Sequence, residues 1–416
     1  MKKKRVVITG IGLVSCFGSD PDRFYQNLLE GNSGVDFIED LDLSTLPTRF
    51  AARVKEFNPE SVLEKKEARR IDPCIPFAMS AARDAVKRSG LNLDDEDRTR
   101  IGVLVGSGMG GMNVFLENTK TLALKGPNRV SPFFVPYIIT NMSGAKIAID
   151  MGLKGPNYSI STACATSNHS IVAAAEHIRL GHADVMLAGG VEATINELCF
   201  AGFCALKALS RNPNPKAASK PWDVTRDGFV LGEGAAVFVL EELEHALNRN
   251  APILAEYRGG YFTCDAHHMT EPNPEGTEVA RCITEALKDG GLSFEDIDYI
   301  NTHATSTPVG DLCEIRAIKK VFAPSLEKLK INATKSLIGH ALGASGALEL
   351  VAVLLAMKTG KLHPTINLTE PEKELEGIDA VANQAIQHEV KNAISNSFGF
   401  GGHNAVVAVS VYEGKN

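Results

Sequence analysis

One cysteine and two histidines have the residue types and settings for covalent catalysis. In Ser159-Ile160-Ser161-Thr162-Ala163-Cys164-Ala165-Thr166-Ser167 a short strand pattern gives way to small residues, and a helical pattern begins at or just after Cys164. Small neighbours allow a tight strand-to-helix turn that presents one side chain at a helix N-terminus. The positive end of the helix dipole lowers a thiol pKa there, which makes Cys164 a candidate nucleophile; the alternative is a cysteine packed inside an alanine-rich helix. His303 follows a strand and stands among Thr302, Thr305, Ser306 and Thr307; His340 stands beside Gly339 and Gly343. Both lie at strand ends, where α/β active sites collect. A single histidine there is a hydrogen-bonded structural residue as a rule. Two of them, with a cysteine at the equivalent point of the first half, point to nucleophilic catalysis.

The other polar motifs carry less. The glycine-rich loops 106–111, 189–190 and 399–402 match neither a Walker loop nor a GxGxxG that opens a first helix, so nucleotide binding is not expected. Flexible backbone beside a thiol suits an oxyanion hole or a mobile gate. His267 and His268 are adjacent and lack a carboxylate at ligand spacing, so no metal site is expected of them. The eight cysteines are scattered without a CxxC pair, which indicates neither zinc nor a disulfide framework.

Composition sets the class. Of 416 residues, 44% are hydrophobic and 22% charged, and Lys+Arg 43 against Asp+Glu 50 leaves a net charge of −7. That is an ordinary globular balance, opposite in sign to a nucleic-acid binder. The basic start MKKKR leads into an apolar run interrupted by Gly10 and Gly12, which reads as a turn and a first strand rather than a signal peptide. No run of about 20 apolar residues marks a membrane span. A cytoplasmic, reducing location is expected.

Elements must bring these residues together. Strand patterns fall at 5–9, 101–105, 158–161, 185–188, 235–240, 299–302, 331–333, 393–395 and 405–411, and helical patterns at 75–89, 167–180, 277–288 and 344–357. This alternation predicts an α/β protein with largely parallel sheets, made mixed by hairpin-like last strands in each half. The order of units repeats. IGVLVGSGMGG, NYSISTACATSNHSIVAAAEHI and ADVMLAGG in one half answer to IDYINTHATSTPVGD, INATKSLIGHALGASGALELVAVLLAM and AISNSFGFGG in the other. Two such halves, 1–250 with the cysteine and 251–416 with the histidines, put the chemistry where their loops converge. The segment 211–227, rich in Pro, Asn and Lys, reads as a surface excursion.

Taken in order, the motifs ACATSN at Cys164, KPWD with RDGFVLGEG after it, NTHATSTPVGD at His303, NATKSLIGHALGASG at His340 and NSFGFGGHN near the end resemble the elongating β-ketoacyl-acyl carrier protein synthases. The resemblance spans essentially the whole chain. It implies a thiolase-like fold, with two pseudo-repeated halves whose mixed five-stranded sheets stack in α-β-α-β-α layers. It departs from common bacterial members at Ala304, where they have glycine, and at His403, where they have threonine. The combination is closer to plastid-type synthases, and a bacterial protein of plastid-like sequence is expected.

The resemblance also implies roles. Cys164 takes an acyl group from an acyl carrier protein thioester; His303 and His340 stabilise the enolate formed when a malonyl thioester loses carbon dioxide. The N–H groups of Cys164 and Phe400 form the oxyanion hole. Lys335 tunes the site in a network with Asp311 and Glu314. Thr305, Thr307 and Thr270 bind the pantetheine arm, and Met109 and Phe203 shape the acyl pocket. The exposed cations Lys65, Lys66, Arg69, Arg70 and Lys207, extended by Arg211, dock the acidic carrier protein. No cofactor is implied beyond the carrier's phosphopantetheine, and the family forms homodimers. In some relatives Asn301, Glu349 and Asn396 surround a structural cation. A degradative thiolase would need a second cysteine near GFGGHN, an initiating synthase would pair its histidine with asparagine, and a chamber-shaping partner subunit would lack Cys164. A cysteine hydrolase remains open on Cys/His alone.

Overall fold

The computed structural model describes residues 3–414. Nine strands form its main sheet: β1 (Val6–Val14), β2 (Ile101–Gly106), β3 (Val185–Glu192), β4 (Gly234–Glu242), β5 (Ala255–Cys264), β6 (Tyr299–Asn301), β7 (Lys330–Asn332), β8 (Asn392–Gly399) and β9 (His403–Ser410). Their order is β2-β3-β4-β1-β5-β9-β8-β6-β7. Pairs β2/β3, β8/β6 and β6/β7 are parallel and the others antiparallel. The halves meet at β1/β5 through three residue pairs, Val6↔Tyr257, Val7↔Glu256 and Ile8↔Ala255. The second half has the five strands expected of it. The first has four, and the segment expected as a strand at 158–161 is irregular, reaching the sheet edge only by a bridge between Val103 and Asn157.

Seven helices matter for the site: α1 (Cys74–Ser89), α2 (Met112–Lys125), α3 (Thr166–Arg179), α4 (Glu197–Ala205), α5 (Thr277–Gly290), α6 (Pro308–Phe322) and α7 (Ser345–Thr359). α1 covers β1 and β4 on one outer face, and α5, with α6 beside it, covers β5 and β9 on the other. Between the halves lie α3, on β2 and β3, and α7, on β4 and β8. This gives the α-β-α-β-α layering of the thiolase-like fold.

Local chemistry explains the close layers. A Cβ on Gly10 would lie 2.2 Å from Ala85 O and one on Gly12 2.1 Å from Ala81 O. The glycines that interrupt the apolar run therefore let α1 lie against β1, which continues through them. The span Leu342–Thr359, apolar all round, is the only helix among the described residues long and apolar enough to cross a membrane; 83% of it is buried inside the fold. It is a core helix between two sheets, which is why it shows no polar face.

Several expectations change. β5, α2 and α6 carry no clear periodic pattern and were not anticipated. β8 and β9 form a hairpin, but β3 and β4, although antiparallel, are joined through a long connection. Part of that connection, 211–227, is a surface excursion only in places: Arg211, Asn214, Lys216 and Val224 are exposed, but Trp222 and Asp223 are fully buried. The Asp223 carboxylate accepts N–H groups of Thr225, Thr369 and Glu370, and Arg226 pairs with Asp311 at 3.4 Å and Glu372 at 2.6 Å. Polar residues there bind the two halves together. The boundary at 250 falls between the short helix Leu243–Asn248 and β5.

Candidate active site

The repeat is visible where the chemistry sits. A single 3₁₀ turn, Ala163–Ala165, leads into α3, and its counterpart Leu342–Ala344 leads into α7. Each begins on a non-glycine residue in the left-handed region, Ala163 at φ 49° and Leu342 at φ 46°. Such strain persists only where packing on all sides enforces it. In the first half the turn presents Cys164; in the second it follows His340.

The three reactive side chains converge. His340 Nε2 lies 3.0 Å from Cys164 Sγ, and one ring nitrogen of each histidine and the sulfur all lie within 4.8 Å of one another. The rings of His303 and His340 meet edge-on at 5.4 Å. His340 Nδ1 is 2.8 Å from Ser345 Oγ, a residue the sequence reading missed although it stands five positions on. A Ser345 hydroxyl that donates to Nδ1 leaves Nε2–H directed into the site. His303 Nδ1 is buried without a hydrogen-bond partner. Burial, then the Lys335 charge, hold both imidazoles well below the usual range, and for His303 the neighbouring His340 adds to this. They are neutral donors and acceptors at neutral pH.

Cys164 departs from the sequence expectation. Burial pushes its thiol up to about 12, against the pull of Lys335 and of the N–H groups of Phe400 and Cys164. In this dry site desolvation outweighs the helix N-terminus. Both predicted oxyanion donors nevertheless face the sulfur. Gly399 makes that approach feasible, since a Cβ there would stand 2.7 Å from Thr162 O and 3.0 Å from Cys164 N. The loop is tied by Gly401 N–H to Met269 O at 2.7 Å and by Gly402 N–H to Gly399 O at 3.1 Å.

Lys335 is fully buried; its charge reaches Glu314 as expected, but its direct partner is a residue not expected. Its Nζ donates to Glu349 Oε1 at 2.6 Å. Glu314 instead accepts the N–H groups of His303 and Ala304 at 2.9 and 2.8 Å and the Asn396 amide at 2.9 Å, fixing the His303 backbone. Asp311 accepts N–H groups of Trp222 and Thr307 at 3.0 and 3.2 Å. The acidic residues of α6 shape the loop before it, and the counter-charge of Lys335 comes from α7. A lone carboxylate in the otherwise apolar interior of that helix was the available signal. The trio of thiol and imidazoles has the donors for a soft metal, but the Lys335 charge that disfavours imidazolium opposes a second cation too.

The remaining candidates are placed as follows. Met109 and Phe203 pack in one apolar cluster with Cys164, Phe200, Phe229 and Leu342. Phe229 lies between them and the histidine, edge-on to Phe203 at 5.6 Å and to His340 at 5.2 Å. Thr305 and Thr307 are half-buried with their hydroxyls 3.0 Å apart. Thr270 is on the loop that holds Gly401, its N–H donating to His268 Nδ1 at 3.2 Å. Lys65, Lys66, Arg69, Arg70, Lys207 and Arg211 are exposed; the first two lie in the short helix Lys65–Ala68. His403 packs its ring against Gly401 and edge-on to His169 at 6.1 Å. Asn301 Oδ1, Asn396 Oδ1 and Glu349 Oε2 are each buried without a partner.

The β-ketoacyl synthase N-terminal domain model matches residues 3–246 and the C-terminal domain model residues 254–369. The chain is 55% identical over 415 residues to 3-oxoacyl-[acyl-carrier-protein] synthase I, chloroplastic, of Arabidopsis thaliana, covering 99% of this chain and 87% of that one. It is 47% identical to 3-oxoacyl-[acyl-carrier-protein] synthase 2 of Coxiella burnetii, covering 99% of each. Among solved structures, a β-ketoacyl synthase from Burkholderia phymatum superposes with a TM-score of 0.91 at 34% identity, over 99% of this chain and 100% of that one. A type II PKS ketosynthase, solved with its acyl-carrier protein and bound to the hexaketide, gives 0.91 at 33% with the same coverage.

Proposed function

The chain belongs to the β-ketoacyl synthase family, and its chemistry is the condensing acyl transfer of fatty acid elongation; from that premise we propose how its residues divide the work. Cys164 exchanges with the thioester of an acyl carrier protein, and its proton ends on the departing pantetheine thiol. A malonyl carrier then enters and loses carbon dioxide. His303 and His340, neutral and aimed at one point, donate to the enolate oxygen. The enolate carbon attacks the Cys164 thioester, whose oxyanion rests on the N–H groups of Cys164 and Phe400. Collapse releases 3-oxoacyl carrier protein and restores the thiol with uptake of one proton. The balance closes without a redox or metal cofactor.

The observation that carries this reading is the convergence of one thiol and two neutral imidazoles in a dry site. Burial, and then the charge of Lys335 paired to Glu349, keep the imidazoles neutral. Met109 and Phe203 receive the acyl chain, and Thr305, Thr307 and Thr270 the pantetheine arm. The exposed cations Lys65, Lys66, Arg69 and Arg70, with Lys207, take the acidic carrier protein; the carrier complex of the PKS ketosynthase supports such a partner. The exposed apolar residues Leu122, Leu124, Phe133, Val135 and Ile149, at 44% to 81% exposure, favour cover by a second copy.

The test is incubation with acyl and malonyl carriers, read by mass spectrometry. A 3-oxoacyl carrier two carbons longer, formed only with the malonyl donor, is the expected product. Thioester hydrolysis without that donor would mark a cysteine hydrolase instead.

A further inference from the structure

Glu192 ends β3 and is fully buried. Its Oε1 accepts the Ser107 hydroxyl at 2.7 Å and the Met109 N–H at 3.1 Å; its Oε2 accepts the Gly108 N–H at 2.9 Å and the Gly343 N–H at 3.0 Å. Ser107 Oγ itself accepts the Gly110 N–H at 2.8 Å, so its own proton goes to Glu192. Four donors and no acceptor face the carboxyl. That set fits the ionised form, which accepts only. Burial pushes the group the other way and, even against the four donors, holds it up at about 7, so the carboxylate form prevails above that pH.

The approach is close enough to dictate two glycines. A Cβ on Gly108 would stand 2.8 Å from Oε2, and one on Gly343 2.7 Å. The two ends of the contact have separate duties. Gly108 and Met109 form the lip of the apolar cluster around Cys164, in the first half. Gly343 lies in the turn between His340 and α7, in the second. Ala163, which precedes Cys164, comes within 3.4 Å of a Cβ on Gly108. All three parts of the site therefore meet at one buried carboxylate.

We propose that Glu192 is a positioning residue that clamps the Met109 loop of one half to the His340 turn of the other and so sets the spacing of acyl pocket and imidazole about Cys164. The inference rests on the roles given above to Met109 and His340. It carries an electrostatic consequence that packing alone would not. The Glu192 charge opposes the Cys164 thiolate. Lys335 favours that thiolate, and His303 and His340 are the other titratable groups facing the sulfur. Cys74 on α1, Cys199 on α4 and Asp72 beside them complete the titratable surroundings of Glu192.

The experiment compares Glu192→Gln and Ser107→Ala with the parent, in the full-length protein. It reads alkylation of Cys164 by iodoacetamide at pH 8 and the kcat and KM of condensation. Glu192→Gln removes the charge and is expected to raise the alkylation rate about threefold or more, equivalent to half a pKa unit. Its kcat should fall about tenfold with the carrier KM unchanged. Ser107→Ala keeps the charge, so alkylation stays at the parent rate while kcat falls a few-fold. Alkylation of Glu192→Gln at or below the parent rate, or kcat of Ser107→Ala within twofold of the parent, overturns the inference. If Glu192→Gln does not fold, the Ser107→Ala kcat decides alone. Alkylation needs no acyl chemistry, so a parent protein that alkylates but never takes an acyl group would refute the proposed reaction, not this clamp.

Discussion

His340 Nε2 stands 3.0 Å from Cys164 Sγ although 176 positions separate them in the chain. Cys164 stands in, and His340 two residues before, the turn that starts a central helix of each half. Neither half holds the site alone: Cys164 comes from the first and both histidines from the second. His340 is also tied on its far side to Ser345.

Loss of that tie should be felt in decarboxylation. Ser345→Ala removes the donor to Nδ1 and frees the ring to present the wrong nitrogen. A hydrogen bond of this kind is worth about 1 kcal/mol, so carbon dioxide release should slow roughly fivefold. Labelled malonyl carrier provides the measurement, and an unchanged rate would contradict the assigned tautomer.

Met109 packs in the cluster that surrounds the nucleophile. Met109→Trp should shorten the longest acyl chain accepted while short primers stay active, because an overfilled apolar pocket resists added methylenes. Rates with carriers of graded chain length decide it. A proportional loss at every length would mean that Met109 only packs the core.

Among the described residues Lys65, Lys66, Arg69 and Arg70 have no ion-pair partner, whereas their neighbour Glu67 is paired with Lys146 at 2.8 Å. Reversing Arg69 and Arg70 to Glu should raise the KM for carrier-bound substrates and weaken its dependence on salt. Small pantetheine thioesters should react as before. Equal loss with both substrate types would remove this face from carrier docking.

His245 offers a pH test away from the site. Its Nδ1 lies 2.6 Å from Glu241 Oε1 and its Nε2 3.0 Å from Glu96 Oε2. Hydrogen bonding to Glu241, and then to Glu96, raises it to about 9 against the effect of burial. A raised histidine stabilises the fold fully below its unfolded value near 6.5 and loses that contribution as pH rises through about 9. The Tm gap between the parent and His245→Gln should therefore be widest at pH 6 and narrow toward pH 10. A gap constant across that range would contradict the assignment.

Much of the site was legible because its chemistry depends on local motifs. Cys164, His303 and His340 sit in short segments whose small residues permit sharp turns, and those turns are visible in sequence. The partners of these residues were not legible. Lys335 finds Glu349 across the glycine break at Gly339 and a 3₁₀ turn, and Glu192 reaches Gly343 from the other half. Such contacts are set by how the layers stack. The same limit applied to the fold: β5 alternates poorly because helices cover both its faces, α5 on one and α3 on the other, and Trp222 is buried because Asp223 and Arg226 find partners from distant loops. The helix-terminus argument for a depressed Cys164 failed for a related reason, since burial is a property of the assembled site.

The central claim is a division of labour, sulfur for acyl transfer and imidazole for decarboxylation. It is tested most directly by labelled carbon dioxide release from malonyl carrier in purified, folded Cys164→Ala, His303→Ala and His340→Ala. Cys164→Ala should form no acyl-enzyme and no condensation product yet still release carbon dioxide. Each histidine variant should lose about 10²–10³ in that release, the cost of an oxyanion donor, while Cys164 is still acylated. Condensation by Cys164→Ala, or decarboxylation at the parent rate by both histidine variants, would contradict it.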